Sequence, residues 1–174
     1  NCGACIHTCP MGAIDLNNFT DKQLIGQIQA VSTGELKEPK IIAFIERNTA
    51  YTALDLAGNK REGYIPNVRT VLVPSCMRVS TKHLLNAFAY GADGVLFIEG
   101  DDSPFAGDKL RQHVIKIKKE LRSYSVNTMR LQSMVTTIPQ YSKILDLFGT
   151  FNKRLLSLGK IPVEKRKKIK EKLG

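Results

Sequence analysis

The sequence predicts an α/β domain on a four-stranded, mainly parallel sheet in three layers, preceded by a short segment rich in cysteine. Three observations carry that expectation. Short apolar or β-branched runs at Ile41–Ile45, Thr70–Val73, Val95–Ile98 and Thr128–Gln132 suit strands covered on both faces. Helical stretches at Thr49–Gly58, Thr81–Tyr90, Phe105–Ser123 and Ile138–Leu158 separate and follow them, and such alternation implies parallel crossovers. The length of 174 residues, with 43% hydrophobic and 24% charged, is that of roughly one domain that needs no disulfide framework.

The elements follow in chain order. Residues 2–10 read Cys-Gly-Ala-Cys-Ile-His-Thr-Cys-Pro, a C-x2-C-x3-C-P run. It matches the last three cysteines of the run with which bacterial ferredoxins hold [4Fe–4S] clusters, where a tight loop aims successive thiolates at one cubane. Cys2, Cys5 and Cys9 are therefore the candidate iron ligands, and residues 12–16 should form the short strand that follows such a loop. The missing first cysteine would fall before Asn1, so the chain is expected to be the C-terminal part of a longer polypeptide, in keeping with its lack of an initiator Met. Zinc would need four N/S ligands, and His7 is crowded between Cys5 and Cys9. Haem attachment would need His where Ile6 stands, and no strand precedes Cys2 and Cys5 to frame a thioredoxin-like pair.

Residues 19–31 place Leu24, Ile25, Ile28 and Val31 on one helical face behind a Thr20/Asp21 cap. Ser32-Thr33-Gly34 should end that helix, and Glu35–Pro39 reads as a polar linker. Beyond it, the loops after the first three strands, at Glu46–Asn48, Pro74–Arg78 and Glu99–Pro104, should line the functional edge of the sheet. No nucleotide-binding glycine motif, zinc-protease motif or hydrolytic triad is present. Glu99, Asp101 and Asp102 could bind a divalent cation, but they are also ordinary loop and helix-start residues. Cys76 could be an activated thiol through Arg78, or an inert packed one; His83 and His113 lie within helices and read as structural.

The segment Pro39–Gly58, with Tyr64–Arg69, Arg78-Val79 and Ala87–Leu96, resembles the delta subunit of methyl-viologen-reducing hydrogenase. That family also occurs fused behind the ferredoxin region of the A-type subunit of heterodisulfide reductase and of the related B-type subunit of the quinone-interacting oxidoreductase. The resemblance spans about Pro39 to Gly159 and implies an electron relay through a [2Fe–2S] cluster, between a hydrogenase or formate dehydrogenase and a heterodisulfide reductase. Its cluster cysteines are expected at the three strand-end loops, but here those positions carry Glu46, Thr49, Ser75, Gly100 and Phe105, with Cys76 displaced by one. Oxygen donors replace thiolates poorly, so the domain is expected to have lost its [2Fe–2S] cluster and to serve in docking.

The formal charge of +10 is unevenly spread: residues 151–174 hold nine Lys or Arg against two acids, while the rest of the chain is nearly neutral. Pro162 and a thin stripe of Val163, Ile169 and Leu173 suggest a short terminal helix. It could be solvated and fraying, or dock on an acidic or membrane-associated partner; nucleic acid is not expected, because no aromatic residues interleave with the basic ones. No membrane span or signal peptide is evident, so a cytoplasmic location is expected, with the inner membrane face reached through partner subunits.

The units expected are a ferredoxin remnant (residues 1–18), a linker helix and loop (19–39), the α/β domain (40–159) and a basic tail (160–174). The function expected is an oxidoreductase component for electron transfer rather than an independent catalyst. A purely structural interaction domain is one alternative, and a small-molecule or metal site using Cys76, Glu99 and Asp101 is another.

Overall fold

The computed structural model describes residues 2–9, 11, 13–33 and 38–173, apart from the side chains of His7 and Thr8. Four parallel strands, β1 (Ile41–Glu46), β2 (Val68–Val73), β3 (Gly94–Gly100) and β4 (Leu131–Thr136), form one sheet in the order β2-β1-β3-β4. Ile41 stands opposite both Val68 and Gly94, and Val95 opposite Leu131. The four-stranded α/β expectation therefore holds, with every strand pair parallel.

The central strands β1 and β3 are buried along their whole length, as their unbroken apolar runs require. The fourth strand starts three residues later than the sequence suggests, because Thr128–Arg130 forms a 3-10 turn before it. In that turn the Asn127 side chain accepts the Met129 N–H.

Helices α3 (Thr49–Asn59) and α6 (Tyr141–Leu158) cover one face of the sheet. They pack Ala50, Ala53, Ile144, Phe148 and Phe151 against Ile41, Ala43, Ile45, Leu96 and Ile98. Helices α4 (Thr81–Ala89) and α5 (Asp108–Ser123) cover the other, with Leu84, Phe88, Val114 and Leu121 against Ile42, Phe44, Val95 and Phe97. The connections leave β1 in one direction towards β2 and return across it to β3. That reversal puts a switch point, and hence a crevice, at the carboxyl ends of β1 and β3.

Two further helices join the α4 side. Helix α2 (Asp21–Thr33) buries Leu24 and Ile28, with Ile25 and Val31 at its margins, as its periodicity predicts. Thr20 caps it: Thr20 Oγ1 accepts the Gln23 N–H at 3.2 Å while Gln23 Oε1 accepts the Thr20 N–H at 2.8 Å. Ser32 and Thr33 belong to the helix, whereas Gly34 and residues 35–37 of the expected linker lie outside the described residues.

Helix α7 (Val163–Glu171) overturns the picture of a solvated tail. Ile169 and Ile161 are buried in the α4-side core, and Arg166 donates to the carbonyls of Phe88 and Ala92 at 2.6 and 2.7 Å. Its other arm meets the Asp93 carboxylate at 2.6 Å. Pro162 takes the cap position rather than the first turn.

The cysteine segment forms a one-turn helix α1 (Ala4–Thr8). The strand expected at 12–16 does not form: residues 13–16 join no sheet, and Gly12 lies outside the described residues. The Asp15 carboxylate is used instead as a local acceptor, taking the N–H of Leu16 and of Asp21 at about 3 Å.

Candidate functional site

The carboxyl ends of β1, β2 and β3 enclose a cleft of about 300 Å³. Glu46, Asn48, Ser75, Asp102, Phe105 and Cys2 are among the residues that line it. The structure thus brings the cysteine segment to the edge where the three strand-end loops meet.

Each expected cluster position can be located there. Glu46 ends β1 with its carboxylate buried; one oxygen accepts the Asn48 N–H at 2.6 Å and the other the Ala50 N–H at 3.2 Å. It therefore caps α3, where exposed N–H groups and the helix dipole favour a negative group. Thr49 and Gly100 adjoin it: a Cβ added at Gly100 would lie 2.6 Å from Thr49 Cβ and 2.9 Å from Glu46 Oε2. Ser75 and Phe105 line the same cleft. The positions converge, but their donors are a carboxylate already engaged by two N–H groups, two hydroxyls, a glycine and a phenyl ring. A [2Fe–2S] cluster does not suit that set.

Cys76, the displaced cysteine, does not face the cleft. It is fully buried, its Sγ 3.5 Å from the carbonyls of both Phe44 and Ile98. Burial pushes its thiol well above the usual range, and the neighbouring Glu99 carboxylate adds to the effect. Activation by Arg78 is thereby overturned, because the guanidinium points away, to Asp15 and Asp21.

Glu99 is equally committed: one oxygen accepts the Cys76 N–H at 2.7 Å and the other the Ser103 hydroxyl at 2.6 Å. Asp101 and Asp102 are exposed. Cys76, Glu99 and Asp101 thus do not form a joint site, and among the described residues no three His, Cys, Asp or Glu side chains gather to hold a metal ion.

Cys2, Cys5 and Cys9 are among those described residues. Cys2 and Cys9 are half-buried and Cys5 is exposed, on a turn that begins at Gly3 with φ 77°. As arranged, the three thiols do not form a closed set of cluster ligands on their own.

Both helical histidines are structural, as expected. His83 Nδ1 accepts the Ser80 N–H at 3.0 Å, which leaves the ring proton on Nε2, 3.0 Å from Asp21 Oδ1. Burial lowers its pKa, while the His83 hydrogen bond, with Arg78 and Lys82, holds Asp21 far below the usual carboxylate range. His113 stacks on Phe97 and meets the Val79 carbonyl at 2.8 Å.

What sequence reading missed is the junction around Arg78. Its side chain is fully buried, with one arm 3.2 Å from Asp21 Oδ1 and the other 3.3 Å from Asp15 Oδ1. Local patterning assigns Asp15 to a strand and Asp21 to a cap, so no spacing signal pairs them with an arginine some sixty positions away.

Comparison with known proteins bears on this edge. Residues 41–159 match the family model described as methyl-viologen-reducing hydrogenase, delta subunit. The A-type subunit of the ferredoxin:CoB-CoM heterodisulfide reductase of Methanosarcina mazei is 29% identical over 157 residues, covering 82% of this chain and 20% of that protein. The D-type iron-sulfur subunit of the vhu F420-non-reducing hydrogenase of Methanopyrus kandleri is 30% identical over 127 residues, 71% of this chain and 96% of that protein. Its counterpart from Methanococcus maripaludis is 28% identical over 134 residues, 74% and 99% respectively. The chain spans about a fifth of the length of the heterodisulfide reductase relatives and nearly the whole of these two hydrogenase subunits.

Proposed function

We infer a function from one premise: the chain belongs to the methyl-viologen-reducing hydrogenase delta subunit family. We propose that it is an electron-transfer segment of a heterodisulfide reductase or hydrogenase type of complex. In it, Cys2, Cys5 and Cys9 ligate [4Fe–4S] iron in the intact protein, and the α/β body serves in docking without a [2Fe–2S] cluster of its own. A bound cubane would supply one-electron transfer. The body would hold the ferredoxin-type unit (residues 1–18) against a redox partner of the hydrogenase, formate dehydrogenase or heterodisulfide reductase kind. The linker helix and the basic tail (residues 160–174) flank that body, and the tail would approach a partner at the membrane.

One observation carries the proposal: the three strand-end loops converge on a cleft lined by Glu46 and Ser75, with Thr49 adjoining Gly100 behind it, while the cysteine that lines it is Cys2. The single body cysteine is turned into the core.

The test is anaerobic iron–sulfur reconstitution of the whole chain beside a Cys2→Ser/Cys5→Ser/Cys9→Ser variant, with iron, sulfide and absorption measured. Iron taken up by the unsubstituted chain should be lost in the triple variant. A stoichiometric [2Fe–2S] spectrum in the triple variant would place a cluster in the body and overturn the proposal.

A further inference from the structure

We propose that Arg78 is a positioning residue that fixes the cysteine segment onto the cleft, making Cys2 part of the sheet's carboxyl edge rather than of a loosely tethered loop. The inference deepens the proposed function and rests on the reading of Cys2, Cys5 and Cys9 as cluster ligands.

Four observations meet at this side chain. Arg78 is the largest fully buried side chain among the described residues, yet it carries a charge that must be compensated. Its compensation comes from outside the sheet, from Asp15 at 3.3 Å and Asp21 at 3.2 Å, on either side of the connection into α2. Its aliphatic stem is covered by the cysteine segment itself: a Cβ at Gly3 would lie 2.5 Å from Arg78 Cδ and 3.0 Å from Leu16 Cδ1. Only a glycine permits that approach, and Gly3 also adopts φ 77°.

The root of Arg78 is equally fixed. The turn Cys76–Arg78 follows directly on the cleft residue Ser75, whose hydroxyl accepts the Met77 N–H at 3.2 Å, and Glu99 holds the Cys76 N–H. A rigid path therefore runs from β3 through Glu99 and the turn to Arg78, and from there to Gly3, directly after Cys2, and to Asp15 further along the same segment. Without the guanidinium, Asp15 would keep only N–H groups of its own segment and Asp21 only His83 and Lys82, with no side chain joining the two. Here a two-armed guanidinium, which can bridge two carboxylates where a lysine meets one, ties them together.

The chain's own thiols report on the arrangement. Alkylation of the reduced, cluster-free chain is followed at each cysteine by mass spectrometry, with exposed Cys5 as reference and buried Cys76 as a monitor of global unfolding. In Arg78→Met the Cys2-to-Cys5 rate ratio should rise about tenfold while Cys76 stays protected, the mark of local opening. Asp15→Asn should give a smaller rise, and Arg78→Met/Asp15→Asn no more than Arg78→Met alone, since both remove one interaction. Arg78→Lys should recover part of the protection.

An unchanged ratio in a folded Arg78→Met chain, or additive effects in the double variant, would overturn the proposal. If Arg78→Met labels Cys76 as fast as an unfolded chain, Asp15→Asn decides, because Asp15 is exposed: an unchanged ratio there overturns it equally. The failure of the cluster reading is seen separately, as an absence of iron uptake by the unsubstituted chain.

Discussion

Cys76 shows how one position can invite a chemical reading that its neighbours refuse. An arginine two residues on suggests a lowered thiol pKa, but proximity along the chain does not say where a guanidinium points. Here the 3-10 turn sends Arg78 towards Asp21 and turns the sulfur between the carbonyls of Phe44 and Ile98. With burial and Glu99 both opposing ionisation, thiolate reagents should leave Cys76 unmodified in the native chain and label it only in denaturant; native labelling at the rate of Cys5 would contradict this. That the expected cluster positions carry a carboxylate, two hydroxyls, a glycine and a phenyl ring could be read residue by residue. The second use of Glu46 and Glu99 as acceptors for loop N–H groups was not, because it depends on which atoms the fold brings within reach.

At the scale of elements, the strands and helices of the body were legible because their apolar runs and periodicity are strong. The flanking helices were legible only as helices. A terminal stretch with this many lysines reads as solvated, yet one isoleucine and one arginine decide where α7 lies. Ile169 enters the α4-side core, and Arg166 occupies three acceptors at the end of α4. Ile169→Ala should lower stability by about 2–4 kcal/mol through the cavity it leaves. Arg166→Ala should cost a similar amount, about 2–4 kcal/mol, by leaving the buried Asp93 carboxylate less compensated. Urea unfolding measures both, and a change below about 0.5 kcal/mol in either would mean that α7 is not part of the folded body. The expected strand at 12–16 failed for a related reason: Asp15 is drawn to Arg78 and to the start of α2, interactions that no local pattern encodes.

For the whole molecule, acid should be destabilising in two stages. His83, facing Asp21, Arg78 and Lys82, and His113, facing Lys116, Glu120 and Glu99, are both held neutral by burial below their ordinary value of 6.5. The unfolded chain therefore binds more protons, and stability falls as the pH drops below about 6.5. Asp21 is depressed in the folded state, so its contribution is present above 3.8, the ordinary value, and is lost as the pH falls further below it. Thermal unfolding midpoints measured from pH 8 to pH 3 should decline in both windows; a flat profile from pH 7 to pH 5 would contradict the first. Asp93, at the opposite edge of the sheet from the cleft, accepts Lys40 N–H, Ile161 N–H and Arg166, and so gathers the start of β1 and the chain entering α7 into one corner. The molecule is consequently bipolar. A strand of six residues is about 20 Å long, so a neighbour gripping the Arg166 corner stands a full sheet length from the Cys2 crevice, and one body can be anchored at one pole while the other stays open to a second neighbour.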